Sequence, residues 1–125
     1  MRSEKGQSMV ETALILPIVL MLLFGIVDFG RIFHAYLTLD HAGREAARLA
    51  SIQKSNDDIT AKINSSIAGL ESSRLTITIS PNETARTSGT DATVTLVYNI
   101  DFITPLVASL ASPLTLTDTT VMRVE

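Results

Sequence analysis

From residue 13 to residue 27 the chain reads Ala-Leu-Ile-Leu-Pro-Ile-Val-Leu-Met-Leu-Leu-Phe-Gly-Ile-Val, without a charge, and extending the run back to Met9 admits only Glu11. At a rise of ~1.5 Å per residue, 9–27 forms roughly 28 Å of helix, close to the ~30 Å thickness of bilayer hydrocarbon. The pattern then turns periodic. Phe29, Ile32, Phe33, Tyr36, Leu39, Gly43, Ala46, Leu49 and Ala50 recur at three- and four-residue steps, which continues the same helix as an amphipathic one. A single helix from about Ser8 to Ile52 is therefore expected. Pro17 lacks an amide donor and should kink or loosen its first turns, a defect that membrane helices tolerate.

Beyond residue 52 the elements become short. Ser55-Asn56-Asp57-Asp58 offers an N-cap and first-turn acids, and Ile59, Ile63, Ile67 and Leu70 mark the core face of a second helix ending near Gly69. The period then drops to two: Leu75, Ile77 and Ile79 alternate with Thr76, Thr78 and Ser80, and a polar stretch from Pro81 to Gly89 turns the chain. Val94, Leu96, Tyr98, Ile100 and Phe102 predict a second strand, paired with the first. Thr104 as N-cap and Pro105 at the first helical position start a short helix that Ser112-Pro113 ends, and a last strand covers about 114–124. The expected class is α+β: a long N-terminal membrane helix packed on a small antiparallel sheet with a second helix.

With 125 residues and a first third this apolar, only one modest water-soluble core is available. The net charge of -3 and the absence of a basic run leave no electrostatic footprint for nucleic acid. Zero cysteines remove disulfides, thiolate catalysis and Cys-ligated zinc. His34 and His41 share a helix face two turns apart but lack a carboxylate fork, so no metal site is read from them. No G-x-S-x-G elbow, phosphate-cradling glycine loop or H-E-x-x-H is present, and no cofactor or catalytic role is assigned.

A basic leader with Arg2 and Lys5 ahead of an apolar run is also the outline of a secretory signal peptide. Against that reading, no small-x-small cleavage site follows the run, which passes into Asp28-Phe29-Gly30-Arg31. Glu11 is also costly near an apolar segment unless it has a task. One task is local: Ser8-Met9-Val10-Glu11 has the spacing of a capping box. The other is intermolecular. A cut after Gly6 makes Gln7 the N-terminus and Glu11 the fifth residue, one helical turn from the new ammonium group, so that subunits in a bundle neutralise each other's charges.

Gly6-Gln7-Ser8-Met9-Val10-Glu11 resembles a prepilin peptidase site, with glycine before the cut and glutamate five residues after it. The continuation Glu11-Thr12-Ala13-Leu14-Ile15-Leu16-Pro17, then Gly25-Ile26-Val27-Asp28-Phe29-Gly30-Arg31 and Ala42-Gly43-Arg44-Glu45-Ala46-Ala47-Arg48, is similar to the TadE-like pseudopilins of tight-adherence (Flp-type) pilus systems. Val94 to Tyr98, Thr104-Pro105-Leu106 and the closing Thr119-Thr120-Val121-Met122-Arg123-Val124-Glu125 extend the likeness, leaving about 53–92 unmatched. The resemblance implies a minor pilin or pseudopilin: a cytoplasmic leader over 1–6, a transmembrane segment over 7–31 and an exported α+β domain over 32–125. Its processing site would be Gly6 and Gln7 and its docking carboxylate Glu11, with Asp28, Arg31, Arg44, Glu45 and Arg48 either partner contacts or a solvated face. Implied partners are the cytoplasmic membrane, a prepilin peptidase, other pilins or pseudopilins and the pilus assembly platform. The positive-inside bias keeps Arg2 and Lys5 cytoplasmic, giving a single-pass inner-membrane protein with its C-terminal domain exported. The alternative is a permanently membrane-anchored extracytoplasmic binding domain.

Overall fold

The computed structural model describes residues 2–125, with side chains from Glu4 onward. Met1 and the Arg2 side chain, both part of the expected leader, lie outside the described residues. The first element, α1, spans Arg2–Ser51, a 50-residue helix roughly 75 Å long at ~1.5 Å per residue. It starts earlier than the apolar pattern predicts. Leader residues Glu4 and Lys5 are good helix formers, and Glu4 sits in the first turn, where the helix dipole favours an acid. The helix runs through Pro17 without interruption.

The remaining elements are α2 (Asn56–Ser66), β1 (Leu75–Ser80), β2 (Asp91–Ile100), α3 (Pro105–Ala111) and β3 (Leu114–Arg123). The Ser55 hydroxyl accepts the Asp58 amide at 3.1 Å, which caps α2 as its sequence predicts. The chain leaves α2 through Gly69, whose φ of 79° lies in the left-handed region that glycine adopts without a Cβ penalty. The strands form an antiparallel sheet in the order β1-β2-β3, with Leu75 opposite Tyr98 and Tyr98 opposite Leu116. The architecture is the expected α+β arrangement: a long N-terminal apolar helix, a small three-stranded antiparallel sheet and further helices.

The core lies between one face of the sheet and the second half of α1, with α2 closing the side. Ala92, Val94, Leu96, Tyr98 and Ile100 of β2 are buried with Ile59 and Ile63 of α2 and Val124. From α1 the buried residues are chiefly small: Ala35, Ala42, Ala46, Ala47 and Ala50, with Leu39 the one large side chain. The stripe read from periodicity divides: its Leu39, Gly43, Ala46 and Ala50 are buried. Phe29, Phe33 and Tyr36 belong to that stripe but remain exposed, Phe29 by 71%, while the alanine row faces the sheet. Small side chains let the helix backbone approach a sheet already filled by β2 residues. Gly43 is the closest approach: a Cβ there would overlap the Asp118 carboxylate and lie 3.0 Å from Thr120 Oγ1. Gly43→Leu is expected to destabilise the domain by about 2 kcal/mol through overpacking. Gly43→Ala is expected to cost less, because a gain of about 1 kcal/mol in helix propensity offsets the displacement of Asp118. Urea denaturation of the full chain in detergent micelles measures both, and wild-type stability of the leucine variant would rule out this close approach.

The first half of α1 has no such cover. Every described side chain from Glu4 to Val27 is exposed, and this is one helix long and apolar enough to cross a membrane. An exposed apolar surface of this extent marks a site of contact with membrane or protein. The protein is thus a rod, apolar at one end and carrying an α+β head at the other.

Candidate functional site

Gly6, Gln7 and Glu11 all lie within α1 and are exposed, and with Val10 and Leu14 they line a shallow surface hollow. Gln7 and Glu11, four residues apart, share a helix face one turn apart. Among the described residues no side chain pairs with the Glu11 carboxylate. The capping-box reading requires Ser8 at a helix start. Here Ser8 is inside α1, and its carbonyl accepts the Thr12 hydroxyl at 2.9 Å.

The most heavily bonded carboxylate is Asp28, directly after the apolar run. It is 4% exposed and accepts four hydrogen bonds. Oδ1 takes the Ile103 amide at 2.8 Å and Arg31 Nη1 at 3.3 Å; Oδ2 takes the Thr104 amide at 2.8 Å and the Thr104 hydroxyl at 2.7 Å. All acceptor sites of a carboxylate are then in use. Thr104 does stand at the N-cap of α3, as its sequence predicts, but its hydroxyl makes no cap bond and donates to Asp28. The capture of residues 103 and 104 also accounts for the end of β2 at Ile100. Alternation in the sequence continues to Phe102, yet the chain must leave the sheet to deliver two amides to α1.

A second acid extends this junction. Arg31 Nη1 donates to the Asp101 carbonyl at 2.9 Å, while the Asp101 carboxylate accepts Arg74 Nη1 at 2.7 Å and the Ser112 hydroxyl at 3.1 Å. The Arg74 bond, aided by that of Ser112, holds the Asp101 carboxyl below the usual carboxylate range. Asp28, Arg31, Asp101 and Arg74 thus form a polar collar where the apolar half of α1 meets the head. Beside it, a groove of about 230 Å³ lies between Gly25, Asp28, Phe29 and Ile32 of α1 and Phe102, Thr104 and Val107.

Arg44, Glu45 and Arg48 lie farther along α1. Arg44 pairs with Asp40 at 3.1 Å and Arg48 with Glu45 at 3.3 Å, and both arginine side chains are mostly exposed. Such pairs add little to stability in water. Asp118 on β3 sits near the Arg44–Asp40 pair, and burial raises its carboxyl above the usual range. His34 Nε2 donates to the Ala68 carbonyl at 3.2 Å, a tie between α1 and the end of α2. Among the described residues no group of three or more His, Cys, Asp or Glu side chains is placed to hold a metal.

The structure joins Asp28 and Arg31, but leaves Arg44, Glu45 and Arg48 in a separate cluster and Glu11 isolated at the other end of the rod. Sequence reasoning did not find Arg74 and Asp101 as members of the collar. A faint signal existed in the acid three residues before Thr104-Pro105, but nothing local connects it to residue 28.

The chain matches no curated protein and no solved structure. Residues 6–48, which include Gly6, Gln7, Glu11, Asp28, Arg31, Arg44, Glu45 and Arg48, match the family described as TadE-like protein. From Gly6 to Arg48, the length of α1 that carries both the exposed apolar run and most of the surface packed on the sheet, the chain is similar to the TadE-like family.

Proposed function

We propose that this protein is a minor pilin or pseudopilin that is inserted in the cytoplasmic membrane through residues 7–31 and takes part in assembling a tight-adherence pilus or its secretion platform. The observation that carries the reading is that the TadE-like segment is one helix whose apolar first half has no cover from its own chain. Lipid covers that surface before assembly, and the helices of neighbouring pilins cover it afterwards. The leader 1–6 is cytoplasmic, a prepilin peptidase cuts between Gly6 and Gln7, and the domain 32–125 is exported. The chain is not an enzyme on this reading. Its chemistry is that of a substrate and a packing unit.

Intact-mass measurement of the protein extracted from the membranes of its own cells tests the processing. A chain starting at Gln7 is expected, and one starting at Met1 or Arg2 rejects the cut. Co-purification with pili or with the assembly platform tests the role. A cut or uncut protein found only in membranes, in cells that are making pili, favours the permanently anchored binding domain instead.

A further inference from the structure

Helix α3 is unlike the rest of the head. From Phe102 to Thr117 the chain has no charged residue, and Ile103, Leu106, Val107 and Leu110 form an exposed apolar face, Leu110 being 84% exposed. Leu106, Val107 and Leu110 lie at i, i+1 and i+4 on one side of the helix, and Ile103 precedes its N-cap. Leu110 is the most exposed large apolar residue of the head, and an uncharged seven-residue helix with such a face calls for a cover.

The fold says where that face lies. Asp28 holds the residues that open α3, through the Ile103 and Thr104 amides, at the level where the apolar run ends. Val107 shares a groove with Gly25 and Phe29. The groove runs from Gly25, in the uncharged run 13–27, to Ile32, so α3 lies beside the end of the segment read as spanning the membrane, 7–31. Phe29 and Phe33, stacked with centroids 6.3 Å apart and both exposed, stand in the next turns of α1. Phenylalanine is among the residues that helices lying in the interface present to the lipid.

We propose that α3 is a membrane foot: its apolar face enters the boundary between headgroups and acyl chains on the head's side of the bilayer, and with the Asp28 clamp it fixes the orientation of the head against the lipid surface. Interfacial helices bury such a face by about 5–10 Å. The inference rests on the membrane-spanning reading of α1, because the depth of α3 is set by its attachment to that helix. The occupant is lipid, by continuity with the exposed apolar surface of α1 that lipid already covers.

The chain contains no cysteine, so single-cysteine variants carry a fluorescent label at one position only. Leu110→Cys, Ile18→Cys and Thr84→Cys in the full chain, each labelled with an environment-sensitive dye, are reconstituted into vesicles of phosphatidylcholine and phosphatidylglycerol. Spin-labelled lipids quench from within the bilayer and iodide from water. The label at position 110 is expected to respond several-fold more to a shallow lipid quencher than to iodide. The label at 18 should respond to a deep one and the label at 84 to iodide alone. If 18 is lipid-quenched but 110 responds to iodide as 84 does, α3 stands clear of the membrane and the proposal fails while the span survives. If 18 itself responds to iodide, the span fails, and the proposal fails with it. Shielding of 110 from both quenchers, lost on diluting protein in lipid, would mean that a second protein covers the face, which also overturns the proposal.

Discussion

Asp28→Ala is expected to loosen the head from α1 without altering the secondary structure of either. The substitution leaves the Ile103 and Thr104 amides, the Thr104 hydroxyl and one Arg31 donor without their acceptor, and residue 104 is itself buried. Hydrogen bonds to a charged group contribute ~1.5–3 kcal/mol each, and removing one partner of a buried charged cluster costs ~3–5 kcal/mol. Water reaching the Arg31 side of the junction reduces that, so a loss of about 3 kcal/mol is expected. For a domain of this size that is a fall in Tm of more than about 10 °C. Asp28→Asn should recover little of it, since its amide nitrogen must face one of the backbone donors. Hydrogen exchange gives the local reading: the amides of 103 and 104 are expected to exchange slowly in the parent chain and rapidly in both variants, while the β2 amides stay protected. A parent-like Tm and unchanged exchange at 103 and 104 would show that the clamp contributes nothing.

Glu11→Ala is expected to abolish association with partner pilins while leaving the head fully folded. Glu11 is isolated from the core, which begins at Asp28 and Ala35 on α1, so thermal unfolding of the head should not change. In a bundle of processed subunits, however, a neighbour's ammonium group would lose its counter-charge in a low-dielectric setting, at a cost of ~3–5 kcal/mol. That corresponds to a loss of several hundred-fold or more in association. Loss of a helix cap instead costs ~0.5–2 kcal/mol, with assembly largely kept. Glu11→Gln separates the two, since glutamine also completes a capping box but carries no charge. Pilus yield or co-purification is expected to fail for both variants. Near-normal assembly with glutamine would show that neutralising a charge is not what Glu11 does.

Much of the molecule was legible because its signals are local. The uncharged run, the Ser55 cap, the two-residue alternation in β1 and β2 and the Thr104-Pro105 start of α3 each depend on residues within a turn or two, and the structure places those elements within a few residues of expectation. The spacing of Gly6, Gln7 and Glu11 is local too. Their proposed role concerns another molecule, so a single chain shows them only as exposed residues on one helix.

Patterning alone was enough for the existence, type and order of the elements, because backbone hydrogen bonding and side-chain periodicity are satisfied within each segment. Which face of α1 meets the sheet required three dimensions. Both the aromatic row at Phe29, Phe33 and Tyr36 and the alanine row at Ala35, Ala42 and Ala46 fit a helical period, and the choice followed from the space left above the β2 side chains. The Asp28 clamp joins positions 75 and 76 residues apart. No local pattern encodes such a contact, since it forms only once the sheet has brought the end of β2 back to the helix. It is this long-range closure that ends β2 early, redirects the Thr104 hydroxyl from its own helix to Asp28 and sets α3 beside the last apolar turn of α1.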